Sequence, residues 1–200
     1  LHAADERPSE TERATALSVQ LLERFGVVTR EAVRSAGVPG GFTAHYPIFK
    51  AMEQAGKIRR GYFIAGMGGA QFGLPGAEDR LREQGEAAPV VILGACDPAN
   101  AYGAGLPWPR REGGAKPQRV AGAHVFMFEG YLLAWLSRTE KHLLCFIGPE
   151  QIADAAERER CATSLAEGLL ALLHQEQGRR KAMLLEKIDD GFANQHWLAD

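Results

Sequence analysis

Two hundred residues, 46% of them hydrophobic and 24% charged, suffice for one large domain or two small ones whose cores need no covalent staples. No apolar run approaches the ~20 residues of a membrane helix, and the start Leu1-His2-Ala3-Ala4-Asp5 has no basic-then-apolar secretory pattern, so a cytoplasmic protein with no membrane partner is expected. The net charge of −2 argues against a chain coated in nucleic acid; three widely spaced cysteines (Cys96, Cys145, Cys161) and six scattered histidines argue against a disulfide framework or a metal site.

The first predicted element is a helix opened by Ser9-Glu10-Thr11-Glu12, a capping box, with Ala14, Leu17, Leu21, Leu22 and Phe25 on one stripe and Gly26 as its stop. Val27-Val28 is a short extended step. Thr29 then caps a second helix that runs to Ala36 and ends at Gly37. Val38-Pro39-Gly40-Gly41 forces a turn, and a third helix is expected from about Thr43, with Pro47 near its first turn and Ile48, Met52 and Ala55 facing inward. Ile58 to Ile64 and Ala70 to Leu74 read as two strands of a hairpin turned by Gly66-Met67-Gly68-Gly69. Three helices followed by a glycine-turned hairpin is the order of a winged helix-turn-helix.

A short charged helix, Ala77 to Gln84, leads to a boundary at Gly85-Glu86-Ala87-Ala88-Pro89. Beyond it Val90 to Ala95 reads as a buried strand. A long irregular stretch from Asp97 to Gln118 follows, holding Pro98, Pro107, Pro109 and Pro117. Ala123 to Phe128, Tyr131 to Ser137 and His142 to Ile147 read as an antiparallel meander; Pro149 is expected to start a long helix ended by Gly178, and Ala182 to Ile188 a last strand. The fold class is thus α+β, with a winged-helix domain over 1–88 and, over 89–200, a small antiparallel β-barrel-like domain with a long C-terminal helix. The tail 191–200 carries no terminating signal and reads as the cut edge of a longer chain.

Three segments depart from the near-neutral average. Lys50, Lys57, Arg59 and Arg60 stand against Glu53; Arg110, Arg111, Lys116 and Arg119 against Glu112; Arg179, Arg180, Lys181 and Lys187 against Glu186. Each amounts to +3. In a winged helix the third helix meets a DNA groove and the wing lies along phosphates, so the expected DNA contacts are Thr43, His45, Lys50, Lys57, Arg59 and Arg60, joined by Arg110 and Arg111. Tyr62 and Phe63 alternate along one strand, so one can face the core and the other outward, where its ring could stack on an unpaired base or flank a backbone; the core is favoured for both. Asp97, directly after a buried strand, either activates water as a catalytic residue or caps the Pro98-Ala99-Asn100 turn, the second being favoured. Trp108, fixed between Pro107 and Pro109, reads as a plug at a domain interface in preference to a wedge into a base stack, and Asp189 and Asp190, which could face a cleft, read instead as a solvated strand end.

Three stretches carry a resemblance: Tyr46-Pro47-Ile48-Phe49-Lys50-Ala51-Met52-Glu53 with Arg59-Arg60-Gly61-Tyr62-Phe63; Gly69-Ala70-Gln71-Phe72; and Asp97-Pro98-Ala99-Asn100-Ala101-Tyr102-Gly103 with Leu106-Pro107-Trp108-Pro109. In order and spacing they resemble the C-terminal region of the bacterial large helicase-related family. The resemblance implies a superfamily 2 ATP-dependent DNA repair helicase whose core lies upstream in the same polypeptide and takes ATP and magnesium, whereas this segment, lacking a Gly-x-x-x-x-Gly-Lys-Ser/Thr loop, takes no cofactor. It implies single-stranded or forked DNA as partner and a nucleoid-associated place in the cytoplasm. Similarity to crosslink-unhooking glycosylases makes a uracil-type DNA glycosylase one alternative, although their Gln-x-Gln or Gln-x-Asp pair is missing. A non-enzymatic oligomerisation or partner-docking module is the other alternative.

Overall fold

The computed structural model describes residues 8–82, 89–111, 113–175 and 182–199, the side chains of residues 81, 82, 175 and 199 excepted. The chain folds as two units, one of 1–84 with 104–106 and one of 85–103 with 107–200. Most of the predicted boundary, residues 85–88, lies outside the described residues, as do the predicted helix stop Gly178 and the cations Arg179, Arg180 and Lys181.

In the first unit the capping box forms: the Glu12 amide donates to Ser9 Oγ, and the Ser9 amide donates to Glu12 Oε2 at 2.8 Å, opening α1 (Glu10–Phe25). Hydrogen bonds from the Ser9 hydroxyl and then the Ser9 amide hold the Glu12 carboxyl below its ordinary range, because both favour the charged form. Gly26 at φ 67° ends α1, and β1 (Val27–Val28) follows. Thr29 accepts from the Ala32 amide to start α2 (Arg30–Ala36), which Gly37 closes in the left-handed region.

α3 (Gly41–Gln54) begins two residues before the expected Thr43, so Pro47 falls inside the helix and not in its first turn. The missing proline N–H leaves the Thr43 carbonyl without its helical partner, and both residues are exposed, so water can take that place. The inward face also differs from expectation: His45 and Phe49 are buried, Phe42, Tyr46, Ile48 and Met52 half-buried, and Ala55 exposed. The reason is aromatic packing. Phe49 stacks on Phe72 with ring centroids 5.3 Å apart, Tyr46 meets Phe72 edge-on at 5.9 Å, and Leu21, Leu22, Val28, Val33 and Ile58 close the core around them. Phe72 lies on β3 (Gln71–Gly73), the middle strand of an antiparallel sheet ordered β1-β3-β2, where β2 is Arg59–Gly61. Helix α4 (Ala77–Arg82) completes this unit, which is a winged helix.

The second unit is built on one six-stranded sheet of β4 (Val91–Gly94), β5 (His124–Phe128), β6 (Tyr131–Leu136), β7 (His142–Cys145), β8 (Lys187–Ile188) and β9 (Gly191–Phe192), in that spatial order. The sheet is open, because β4 and β9 do not pair, and so it lacks the closure that a barrel-like domain requires. β8 runs parallel to β7, and the chain crosses between them through α5 (Ala155–Gln175). That helix starts six residues later than the sequence suggests, since Pro149 occupies a turn closed by the Gln151 amide on the Gly148 carbonyl and Asp154 then caps the helix through the Glu157 amide. Its buried Cys161, Leu165 and Leu172 face Phe126, Leu133 and Ile147. Gly168 permits this approach: a Cβ there would stand 2.9 Å from the Phe126 ring.

Candidate nucleic-acid interface

On α3 the inward positions leave Thr43, Ala44, Pro47, Lys50 and Ala51 as an exposed stripe, recurring at the three-and-four spacing of one helix face. Lys57, Arg59 and Arg60 follow at once and are exposed as well. No acid among the described residues forms an ion pair with Lys50, Lys57 or Arg60, while Arg59 reaches only Glu78, at 4.0 Å with both side chains largely exposed, a contact worth little. These cations are therefore solvated charges available to a polyanion.

His45 is not part of that surface. It is 1% exposed, and its Nδ1 lies 2.8 Å from the hydroxyl of Ser18, itself buried on α1. The expectation that it contacts DNA is corrected by this pairing, because position 45 shares the inward face of α3 with Phe42 and Phe49. The pair ties α1 to α3 by a buried polar contact that no hydrophobic periodicity could announce.

Tyr62 and Phe63, expected together in the core, separate. Phe63 lies over a floor of glycines, its ring 3.4 Å from where a Gly61 Cβ would be and 2.9 Å from that of Gly73. Tyr62 is 91% exposed. The loop after it is held by Gln71, wholly buried, whose Oε1 accepts from the Phe63 and Ile64 amides at 2.9 and 2.8 Å and whose Nε2 donates to the Ile64 and Met67 carbonyls at 3.0 and 3.1 Å. Gln71, within the Gly69-to-Phe72 stretch, is thus a clamp on the wing.

In the second unit Arg110 is exposed, but Arg111 is spent internally. Its side chain is 9% exposed, with Nη2 2.8 Å from Asp189 Oδ1, 3.8 Å from Asp190 Oδ2, and Nη1 donating to the Ala115 carbonyl. Its expected role as a DNA contact is corrected, because a guanidinium desolvated against two carboxylates has no charge to offer a phosphate. Asp189, at φ 55°, also accepts from the Cys145 amide and lies 3.3 Å from His196, so it is a junction and not a solvated strand end. Arg119 is likewise internal, donating to the carbonyls of Asn100, Tyr102 and Asp97.

Asp97 caps its turn, Oδ1 accepting from the Ala99 amide at 2.8 Å, and buried Asn100 fixes the same loop through the Ala95 carbonyl and the Tyr102 amide. Trp108 is a plug, but inside this unit: it stacks on Tyr102, at 6.1 Å and 19°, and its ring fills the space a Gly103 Cβ would take. The Asp97-to-Gly103 and Leu106-to-Pro109 stretches therefore serve one rigid loop. Beside Asp189 lies a cleft of about 240 Å3 lined by Arg111, Cys145, Gln151 and Trp197 among others. Burial, then the Asp189 charge, push the Cys145 thiol up, with Arg111 acting against them, which disfavours the thiolate. Cys161 is buried and also shifted up, whereas Cys96 is exposed.

A three-helix and hairpin unit with solvated cations on its third helix and wing, followed by an open α+β unit, defines a winged-helix module. The sequence profile of the winged-helix domain of large helicase-related protein matches residues 7–90. The chain is 38% identical over 189 residues to a protein of Mycolicibacterium smegmatis named Lhr helicase/probable uracil glycosylase, covering 91% of this chain and 12% of that protein. It is 39% identical over 150 residues to the Lhr helicase/uracil glycosylase of Escherichia coli, covering 72% of this chain and 10% of that one. This chain belongs to the large helicase-related family, as a helicase-associated C-terminal region that spans about a tenth of these relatives' length.

Proposed function

We propose that the chain is the C-terminal nucleic-acid-binding region of an ATP-dependent superfamily 2 DNA repair helicase, whose core lies elsewhere in the polypeptide and uses ATP and magnesium. The observation that carries this reading is the set of solvated cations Lys50, Lys57 and Arg60 on the third helix and wing, without acidic partners among the described residues. Binding releases counterions from the phosphates, which supplies affinity without sequence preference. Thr43, at the outer face of α3, adds a neutral hydroxyl donor. Single-stranded or forked DNA is the partner, and a nucleoid-associated cytoplasmic location follows from it.

Fluorescence anisotropy of labelled single-stranded and forked DNA at about 50 and about 200 mM salt tests this. Micromolar binding that weakens by at least about tenfold across that range is expected, as roughly four phosphate contacts require. Salt-independent or absent binding removes the reading. The uracil-type glycosylase alternative rests on the names of the two relatives. The described residues support it less, since the Asp97 carboxylate is engaged in its own turn.

A further inference from the structure

We propose that Tyr62 is a base-stacking platform, so that the wing takes unpaired nucleotides beside a duplex and not a duplex alone. The inference rests on the nucleic-acid reading and deepens it.

A single exposed aromatic is ordinary on a protein surface. What distinguishes Tyr62 is that its backbone is fixed from both sides while its ring is free. On one side β2 pairs with β3 up to Gly61 opposite Gln71. On the other, the amides of Phe63 and Ile64 are held by the Gln71 side chain. Phe63, its neighbour, lies across Gly61 and Gly73, which carry no side chains, and leaves Tyr62 as the exposed ring of the two.

Tyr62 is 91% exposed, a larger fraction than Phe192, Trp197 or Leu184. Arg60, within β2, precedes it by two residues and is exposed, with no ion pair among the described residues. Lys57 and Arg59 stand just before. A backbone-tracking cation next to an exposed ring is the arrangement on which single strands bind without sequence preference, because every base has a π face. Preorganisation lies in the backbone: the chain on either side of the ring is already held, so only the side chain's own freedom is lost when a base stacks on it. In an intact duplex the bases are stacked on one another and no face is open to the ring, so the contact selects unpaired strand.

The test compares the unaltered chain with Tyr62→Ala, Tyr62→Phe and Tyr62→Trp, titrating oligothymidylate, a blunt duplex and a single strand carrying 2-aminopurine. Tyr62→Ala is expected to weaken single-strand binding about tenfold, to leave the duplex within about twofold, and to abolish the 2-aminopurine quenching. Phe and Trp restore both. Because the ring contributes nothing to the core, circular dichroism of the Ala variant should match that of the unaltered chain. The inference is overturned if Tyr62→Ala binds and quenches like the unaltered chain, or if it loses duplex and single strand equally. Should the unaltered chain bind no DNA, the nucleic-acid reading fails first and this inference with it.

Discussion

Asp189 shows how one side chain can carry several elements. It accepts from the Arg111 guanidinium and the Cys145 amide, each at 2.8 Å, while its own carbonyl meets His142 Nε2 at 2.5 Å. Truncating it to alanine strands a guanidinium that is only 9% exposed and leaves an amide of β7 without its acceptor. Breaking a buried ion pair from one side costs about 3–5 kcal/mol, but Asp189 is 29% exposed and Asp190 supplies part of the missing charge at 3.8 Å. The expected loss for Asp189→Ala is therefore about 2–3 kcal/mol in urea unfolding, followed through the β unit's tryptophans. A loss under about 0.5 kcal/mol, the scale of an exposed pair, would mean that this junction is solvated after all. At this scale the sequence is least legible. Arg111 and Arg60 have the same chemistry and similar neighbours; only long-range contact with the turn after β8 removes the first from solvent. His45 fails for the same reason, since its partner Ser18 lies 27 residues away and carries no signal in the α1 stripe.

Glycine positions decide the geometry of whole elements. Gly103, at φ 73°, lets the Asp97-to-Gly103 loop close on Trp108, whose ring atoms lie 2.5–2.9 Å from the site a Cβ would occupy. Gly103→Ala combines a left-handed backbone with displacement of an indole flanked by two prolines, so the Tyr102–Trp108 stack must open. A cost of about 2 kcal/mol or more is expected, against about 1 kcal/mol where only the backbone conformation is strained. Thermal unfolding of the variant measures it, and an unchanged midpoint would show that the loop has room the packing denies. The existence of elements was largely readable, because capping residues and periodic stripes are local. The capping box at Ser9, the Thr29 cap, and the β5-β6-β7 meander stand where local rules put them. Boundaries moved where competing local rules overlapped. Pro149 is as good a turn residue as a helix starter, and Asp154 offered the better cap; Pro47 is tolerated within α3 because the carbonyl it orphans faces water. The β-barrel expectation failed for a non-local reason: closure depends on whether the edge strands meet, which no strand pattern encodes.

Across the molecule, segments of equal net charge do different things. The first keeps its cations solvated; the second spends Arg111 and Arg119 on carboxylates and carbonyls of its own unit; of the third segment's cations only Lys187 lies among the described residues, where it is exposed. Segment charge is therefore a poor map of phosphate contact, and the salt dependence of binding separates the cases. Each phosphate neutralised adds about 0.7 to the slope of log K against log salt for single strands and about 0.9 for duplex, so Lys50, Lys57, Arg59 and Arg60 together correspond to a single-strand slope of about −3. Replacing any one by alanine should flatten that slope by about 0.7 with little change in stability, because each side chain is exposed. Arg119→Ala should do the reverse, leaving the slope where it was while lowering stability by about 1–3 kcal/mol through three orphaned carbonyls. Measuring both quantities for both classes of variant distinguishes a helix-and-wing interface from diffuse attraction: if Arg119→Ala and Lys50→Ala flattened the slope alike, the phosphates would be sensing overall charge, and the winged-helix surface would have no privileged part in binding.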